Sequence, residues 1–210
     1  MPLGEGMATE LDASWPWAPL SLAELVELMR GATFFWCLAG GHAIAHVLGR
    51  SYRQHGDIDI VVLRPDQVEV HNWFRYWCLY AAAPPPGKLR PWKPNEILPM
   101  SIHDVWGHRD SSRAWELQIM IQEAAGNSWY FRRDQRVRGS VDDLATDVRG
   151  VPCLRMDLQL LFKSKEPRAK DETDFRELLP VLPNAQRETL SYWLALIYPD
   201  GHPWLTALAR

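Results

Sequence analysis

A glycine pair, Gly40-Gly41, followed by Asp57-Ile58-Asp59, restricts the fold more than any other feature of the chain. Thr33 to Leu38 is β-branched and aromatic, which suits a buried strand. Gly40-Gly41 is then read as the turn, and His42 to Leu48 as a short helix stopped near Gly49. Ile58 to Leu63 supplies a second strand, ended by Arg64-Pro65-Asp66. Residues two apart on a strand share a face, so Asp57 and Asp59 aim two carboxylates at one place, with Ile58 and Ile60 behind them. Such a pair repels itself unless a cation lies between the two groups. Hard oxygen ligands in small number suit magnesium completed by water and phosphate. A glycine turn that opens a helix offers backbone N–H groups to an anion at the helix's positive end. Together these features describe a place for a metal-bound polyphosphate.

The rest of the chain sorts around this centre. Ser21-Leu22-Ala23-Glu24 is a capping-box pattern, and Leu22, Leu25, Val26 and Met29 repeat at helical spacing up to Gly31. Pro65 to Tyr80 is read as a helix, although Val68, His71, Asn72 and Arg75 make no clean stripe. The Pro-rich stretch 81–99 is read as a loop, Leu117 to Ile121 as a third strand and Trp129 to Phe131 as a fourth. From Met156 onward three helical patterns follow, the second stopped by Pro180 and the third opened by Asn184. The expected class is α/β (α+β): a small mixed sheet flanked by helices, with a short C-terminal helical piece. The expected division is a leader over 1–19, an α/β domain carrying the glycine and aspartate pairs over 20–150 and a helical subdomain over 151–210.

Composition excludes several alternatives. Lys and Arg number 23 against 26 Asp and Glu, so the chain lacks the positive excess of a duplex binder, and DNA is not an expected partner. Three separated cysteines, Cys37, Cys78 and Cys153, form neither a zinc pattern nor a disulfide framework and read as buried thiols of a cytoplasmic protein. Gly31 to Gly49 carries no formal charge, but Gly40-Gly41, His42 and His46 interrupt it, so it is not read as a membrane span. His42 and His46 stand four apart without a third ligand in view, and they read as ordinary helix histidines.

Gly40-Gly41, the helix ending at Gly49-Arg50, and His55-Gly56-Asp57-Ile58-Asp59-Ile60 resemble the signature of the polymerase-beta-like nucleotidyltransferase superfamily. The nearer likeness is to its aminoglycoside and lincosamide nucleotidyltransferase branch. Ile102 to Trp106, Trp129 to Asp134, and Leu160 to Lys165 running to Lys170-Asp171 resemble further stretches of that branch. The likeness implies that Asp57 and Asp59 hold one or two magnesium ions on an NTP. It implies transfer of a nucleoside monophosphate to an acceptor hydroxyl, with pyrophosphate leaving. Gly40, Gly41, His42, Arg50, Arg53 and Lys163 would contact the nucleotide.

Two departures matter. His42 stands where the family often has an aromatic residue, and Gln118 stands in the slot of the family's third carboxylate. An amide can orient a hydroxyl but cannot take its proton. Glu123, just beyond the third strand, resembles a recurring family glutamate and is the preferred base or acceptor anchor. Glu116, two residues before Gln118 on the same strand face, is the alternative, and a chain with no base is the third.

The leading expectation is therefore transfer to a small hydroxylated acceptor, an aminoglycoside- or lincosamide-like antibiotic or related metabolite. Labelling of a protein or RNA, or nucleotide binding without chemistry, are the competing readings. Eleven tryptophans are many for this length. Most are expected in the core, with Trp92 and Trp106 as candidates to line an acceptor pocket.

Overall fold

The computed structural model describes residues 14–84 and 88–209. Most of the expected leader, and Pro85-Pro86-Gly87 of the Pro-rich stretch, lie outside the described residues. Among the described residues the chain forms ten strands and seven α-helices, a mixed α/β protein. They group into two compact units: the described part of Met1–Phe35 together with Gly56–Ile121, and Trp36–His55 together with Gln122–Arg210.

The first unit opens with α1 (Leu22–Leu28). Its expected capping box is present: the Glu24 N–H donates to Ser21 Oγ at 3.2 Å and the Ser21 N–H donates back to the Glu24 carboxylate at 2.8 Å. The sheet of this unit contains β2 (Asp59–Leu63), β3 (Trp77–Ala83), β4 (Lys88–Pro91), β5 (Asp104–Arg109) and β6 (Leu117–Ala125, which continues into the second unit). Its order is β4-β3-β5-β6-β2, and β3 is antiparallel to both β4 and β5, as β5 is to β6. Every residue of β2 is buried, which explains its unbroken Asp-Ile-Val-Val-Leu run. β5 and the first half of β6 alternate instead. Val105, Leu117, Ile119 and Ile121 are buried, while Asp104, Trp106, Gln118 and Met120 are half-exposed.

The helix expected over 65–80 is shorter. A 3₁₀ turn (Arg64–Asp66) leads into the helix Gln67–Trp73, and the chain is already in β3 at Trp77. The expected loop is correspondingly interrupted by the β3–β4 ladder, where Ala82 faces Leu89. Alanines hide a strand from propensity, because the ladder is set by cross-strand pairing rather than by side-chain type.

The second unit contains β1 (Trp36–Ala39), α2 (Gly40–Leu48), β7 (Ser128–Tyr130), β8 (Arg138–Ser140), β9 (Ala145–Val148) and β10 (Val151–Leu154). Strand β1 runs parallel to β10, and β10 antiparallel to β9. The end of β6 pairs with β7, and β7 with β8. Then come α4 (Met156–Lys163), α5 (Ala169–Leu178), α6 (Asn184–Ile197) and α7 (Pro203–Leu208). The helix Gln67–Trp73 of the first unit is α3. The three expected C-terminal helices are α4, α5 and α6. Phe175 of α5 stacks flat on Trp204 of α7, ring centroids 4.4 Å apart. Among the described residues no helix is long and apolar enough to cross a membrane.

Candidate active site

In the first unit, β2 begins at Asp59, and Asp57 lies just ahead of it. Asp57 is half-buried, whereas Asp59 is only 8% exposed. The carbonyl of Ile58, between them, accepts a hydrogen bond from the Gln118 N–H at 2.9 Å. That bond ties the aspartate pair to β6. Gln118 in turn donates from its side-chain amide to Asp104 of β5, at 3.0 Å. Glu116 is committed elsewhere. It is buried, accepts from the Arg109 N–H at 2.7 Å, and forms an ion pair with the Arg109 guanidinium. Glu123 falls in the second unit, buried in the ladder opposite Tyr130.

In the second unit the glycine pair is the first turn of α2 rather than a separate turn. Ala39 is extended, and Gly40 has φ +65°, a value open to glycine and costly to residues with a Cβ. The Gly40 N–H donates to Gln159 Oε1 of α4 at 2.7 Å, which satisfies one orphan donor of the helix end. Gly41 is required by crowding. A Cβ there would lie 2.1 Å from Nδ1 of His55 and 2.7 Å from the Arg53 guanidinium. The His42 and His55 rings lie 4.8 Å apart beside it. Gly41→Ala is therefore expected to force His55 and Arg53 aside and to destabilise the chain by about 1–3 kcal/mol, read in thermal melts. His46 meets the Val148 carbonyl at 2.8 Å, an ordinary helix histidine as expected.

The cations expected on phosphate all meet acids of α5. Asp171, Asp174 and Glu177 recur every three residues, so they form one stripe on that helix. Arg50 pairs with Glu177. Arg53 grips Asp174 with two nitrogens, at 2.6 and 2.9 Å, and the Tyr52 hydroxyl donates to the same carboxylate at 2.7 Å. Lys163 lies 2.9 Å from Asp174 and 3.2 Å from Asp171. Burial alone would raise the Asp171 carboxyl. The hydrogen bonds from Arg168 and the charge of Lys163 outweigh it and hold the group at about 2. The same contest keeps Asp174 below its ordinary range, through Arg53, Tyr52 and Lys163.

The family model described as aminoglycoside-2''-adenylyltransferase matches residues 21–178. The chain belongs to this family. It is accordingly a nucleotidyltransferase, and the match ends with the last residue of α5, leaving α6 and α7 beyond it. No curated protein matches the chain. Among solved structures, the lincomycin-bound lincosamide antibiotic adenylyltransferase LnuA is similar, with a TM-score of 0.50 at 18% identity, over 75% of this chain and 93% of that one. The solution structure of the antibiotic-resistance factor ANT(2'')-Ia is similar as well, with a TM-score of 0.52 at 14% identity, over 85% of this chain and 91% of that one. At such identities the fold is what is shared.

The residues present fit a magnesium ion of the kind this adenylyltransferase family implies. Asp57 and Asp59 offer hard oxygens at one strand end. Among the described residues no three His, Cys, Asp or Glu side chains converge as a dedicated metal cage. Two carboxylates completed by water and substrate phosphate is the usual arrangement for this ion. Three further residues escaped sequence reasoning: Asp104, Gln159 and Asp174. Asp104 stands within a stretch that resembles the family, but only the register Trp106 opposite Gln118 reveals its partner.

Proposed function

We propose that the chain moves a nucleoside monophosphate, adenylate by family, from an NTP to a hydroxyl of an aminoglycoside- or lincosamide-type antibiotic or a related metabolite. Pyrophosphate leaves. The observation that carries this reading is the Asp57-Ile58-Asp59 pair, anchored through the Ile58 carbonyl, in a chain of an adenylyl-transferring family. Asp57 and Asp59 hold magnesium in this reading. Bound there, the ion would neutralise charge that develops on the triphosphate. The N–H groups of Gly41 and His42 lie in the first turn of α2, where helix geometry leaves donors for an anion. Arg53 and Lys163 serve phosphate by exchanging the Asp174 carboxylate for a phosphate oxygen, and Arg50 does the same from Glu177. The dependence on an NTP is the argument for a cytoplasmic site of action.

The test is pyrophosphate release with magnesium, each of the four NTPs in turn, and pooled aminoglycosides, lincosamides and other hydroxylated metabolites. Release that needs one NTP and one pool is the expected result. Silence in every pool, with NTP binding seen by calorimetry, would overturn it. Weight would then shift to a protein or RNA acceptor, or to a nucleotide sensor whose chemistry was lost with the carboxylate at position 118.

A further inference from the structure

Nucleotidyl transfer needs somewhere for the acceptor proton to go, and Gln118 cannot take it. We propose that Asp104 receives that proton and that Gln118 is the residue positioning it. The proposal rests on the transferase reading above. It is built entirely within the first unit.

Gln118 is a junction between two strands. Its backbone N–H bonds the carbonyl between Asp57 and Asp59 at 2.9 Å, and its side-chain amide bonds Asp104 Oδ1 at 3.0 Å. A carboxylate only accepts, so the Gln118 nitrogen must point at Asp104. One residue thus connects the aspartate pair to a third carboxylate, one strand further across the sheet than the usual slot.

Register places this carboxylate on the open side. Trp106 lies opposite Gln118 and Asp104 opposite Met120, so all four share one face of β5 and β6. That face is half-exposed, while the alternate residues are buried. Glu123 has the parity of the buried residues Leu117, Ile119 and Ile121. Glu116 has the open-face parity but is 3% exposed and bound to Arg109 through both oxygens. Among the described residues Gln118 meets Asp104 at Oδ1, and Oδ2 is the oxygen offered to a hydroxyl in this proposal.

The step balances. The acceptor O–H proton passes to the Asp104 carboxylate, and the oxygen lone pair forms the new bond to the α-phosphorus. The bond from that phosphorus to the bridging oxygen breaks, and its electron pair leaves with pyrophosphate.

The experiment uses the full chain and the NTP and acceptor that give turnover with the wild type. Asp104→Asn should lower kcat by about 10²- to 10⁴-fold, the usual worth of a general base, with the KM for NTP within threefold. Thermal melting and calorimetric binding of magnesium–NTP should match the wild type. The exchange variant, Asp104→Asn with Gln118→Glu, returns a carboxylate to the neighbouring strand and should recover at least tenfold over Asp104→Asn. A merely structural Asp104 would not be rescued in kcat in this way. Asp104→Asn within threefold of wild-type kcat overturns the proposal and leaves the transferase reading standing. So does an exchange variant that melts like the wild type yet gains nothing. A wild type that turns over no NTP with any acceptor overturns both.

Discussion

Asp59→Asn is expected to lower magnesium-dependent turnover by at least about 10³-fold, roughly 4 kcal/mol of transition-state stabilisation, while the fold survives. Asn keeps the shape of Asp but removes the charge that, in the proposed reading, would hold a hard cation. The fold is expected to survive because the two side chains have nearly the same volume, so the buried position packs as before. The melting temperature should therefore stay within a few degrees of the wild type. The informative comparison is a titration of magnesium against pyrophosphate release. The wild type should saturate, and the variant should stay near background at every concentration. Activity within tenfold of wild type would remove the aspartate pair from the chemistry. A variant that fails to fold would assign Asp59, at 8% exposure, a structural role instead.

The parts of this site legible in the sequence are those set by local geometry. α1 carries the capping box its sequence announces, and the helix expected from His42 is present but begins two residues earlier, at Gly40, and ends before Gly49. The second strand is present from Asp59, with Asp57 just ahead of it. What escaped depends on which distant segments meet. β3 was hidden because alanines carry little strand preference and its ladder is fixed by β4 and β5. Asp104 could be read as a motif residue but not as a partner of Gln118, since an antiparallel register carries no short-range signal. The expected phosphate cations are the clearest case. The sequence puts Arg53, Lys163 and Arg50 forward for phosphate, whereas in the structure they meet acids that arrive on α5. Asp174 is 121 positions from Arg53. Charge pairing at that separation is a product of the fold.

That pairing leads to the second large effect. Asp174 has no exposed surface, and it accepts from Arg53, Tyr52 and Lys163 at once. Asp174→Ala would leave the largely buried Arg53 without its counter-ion and Lys163 with Asp171 alone, a loss of about 3 kcal/mol, and should lower the melting temperature on the order of 10 °C. Asp174→Asn keeps an acceptor for Tyr52 but not the charge, and should fall between the two. The same network sets an acid limit. Asp171 sits at about 2 and Asp174 below its ordinary range in the folded chain, whereas both titrate near 3.9 when unfolded. Their contribution is therefore complete above about pH 5 and is lost as pH falls toward 2. Melting temperature followed from pH 7 to pH 3 should decline steeply for the wild type below about pH 4. In Asp174→Ala the decline should be shallower, because part of that dependence has already been removed. Parallel declines in the two proteins would show that other carboxylates, not the α5 stripe, set the acid limit. In the nucleotide assay Asp174→Asn should tighten NTP binding, since Arg53 and Lys163 no longer have to leave a carboxylate to meet a phosphate. Weaker binding in a folded variant would mean that Asp174 holds the two cations in the geometry the phosphates need.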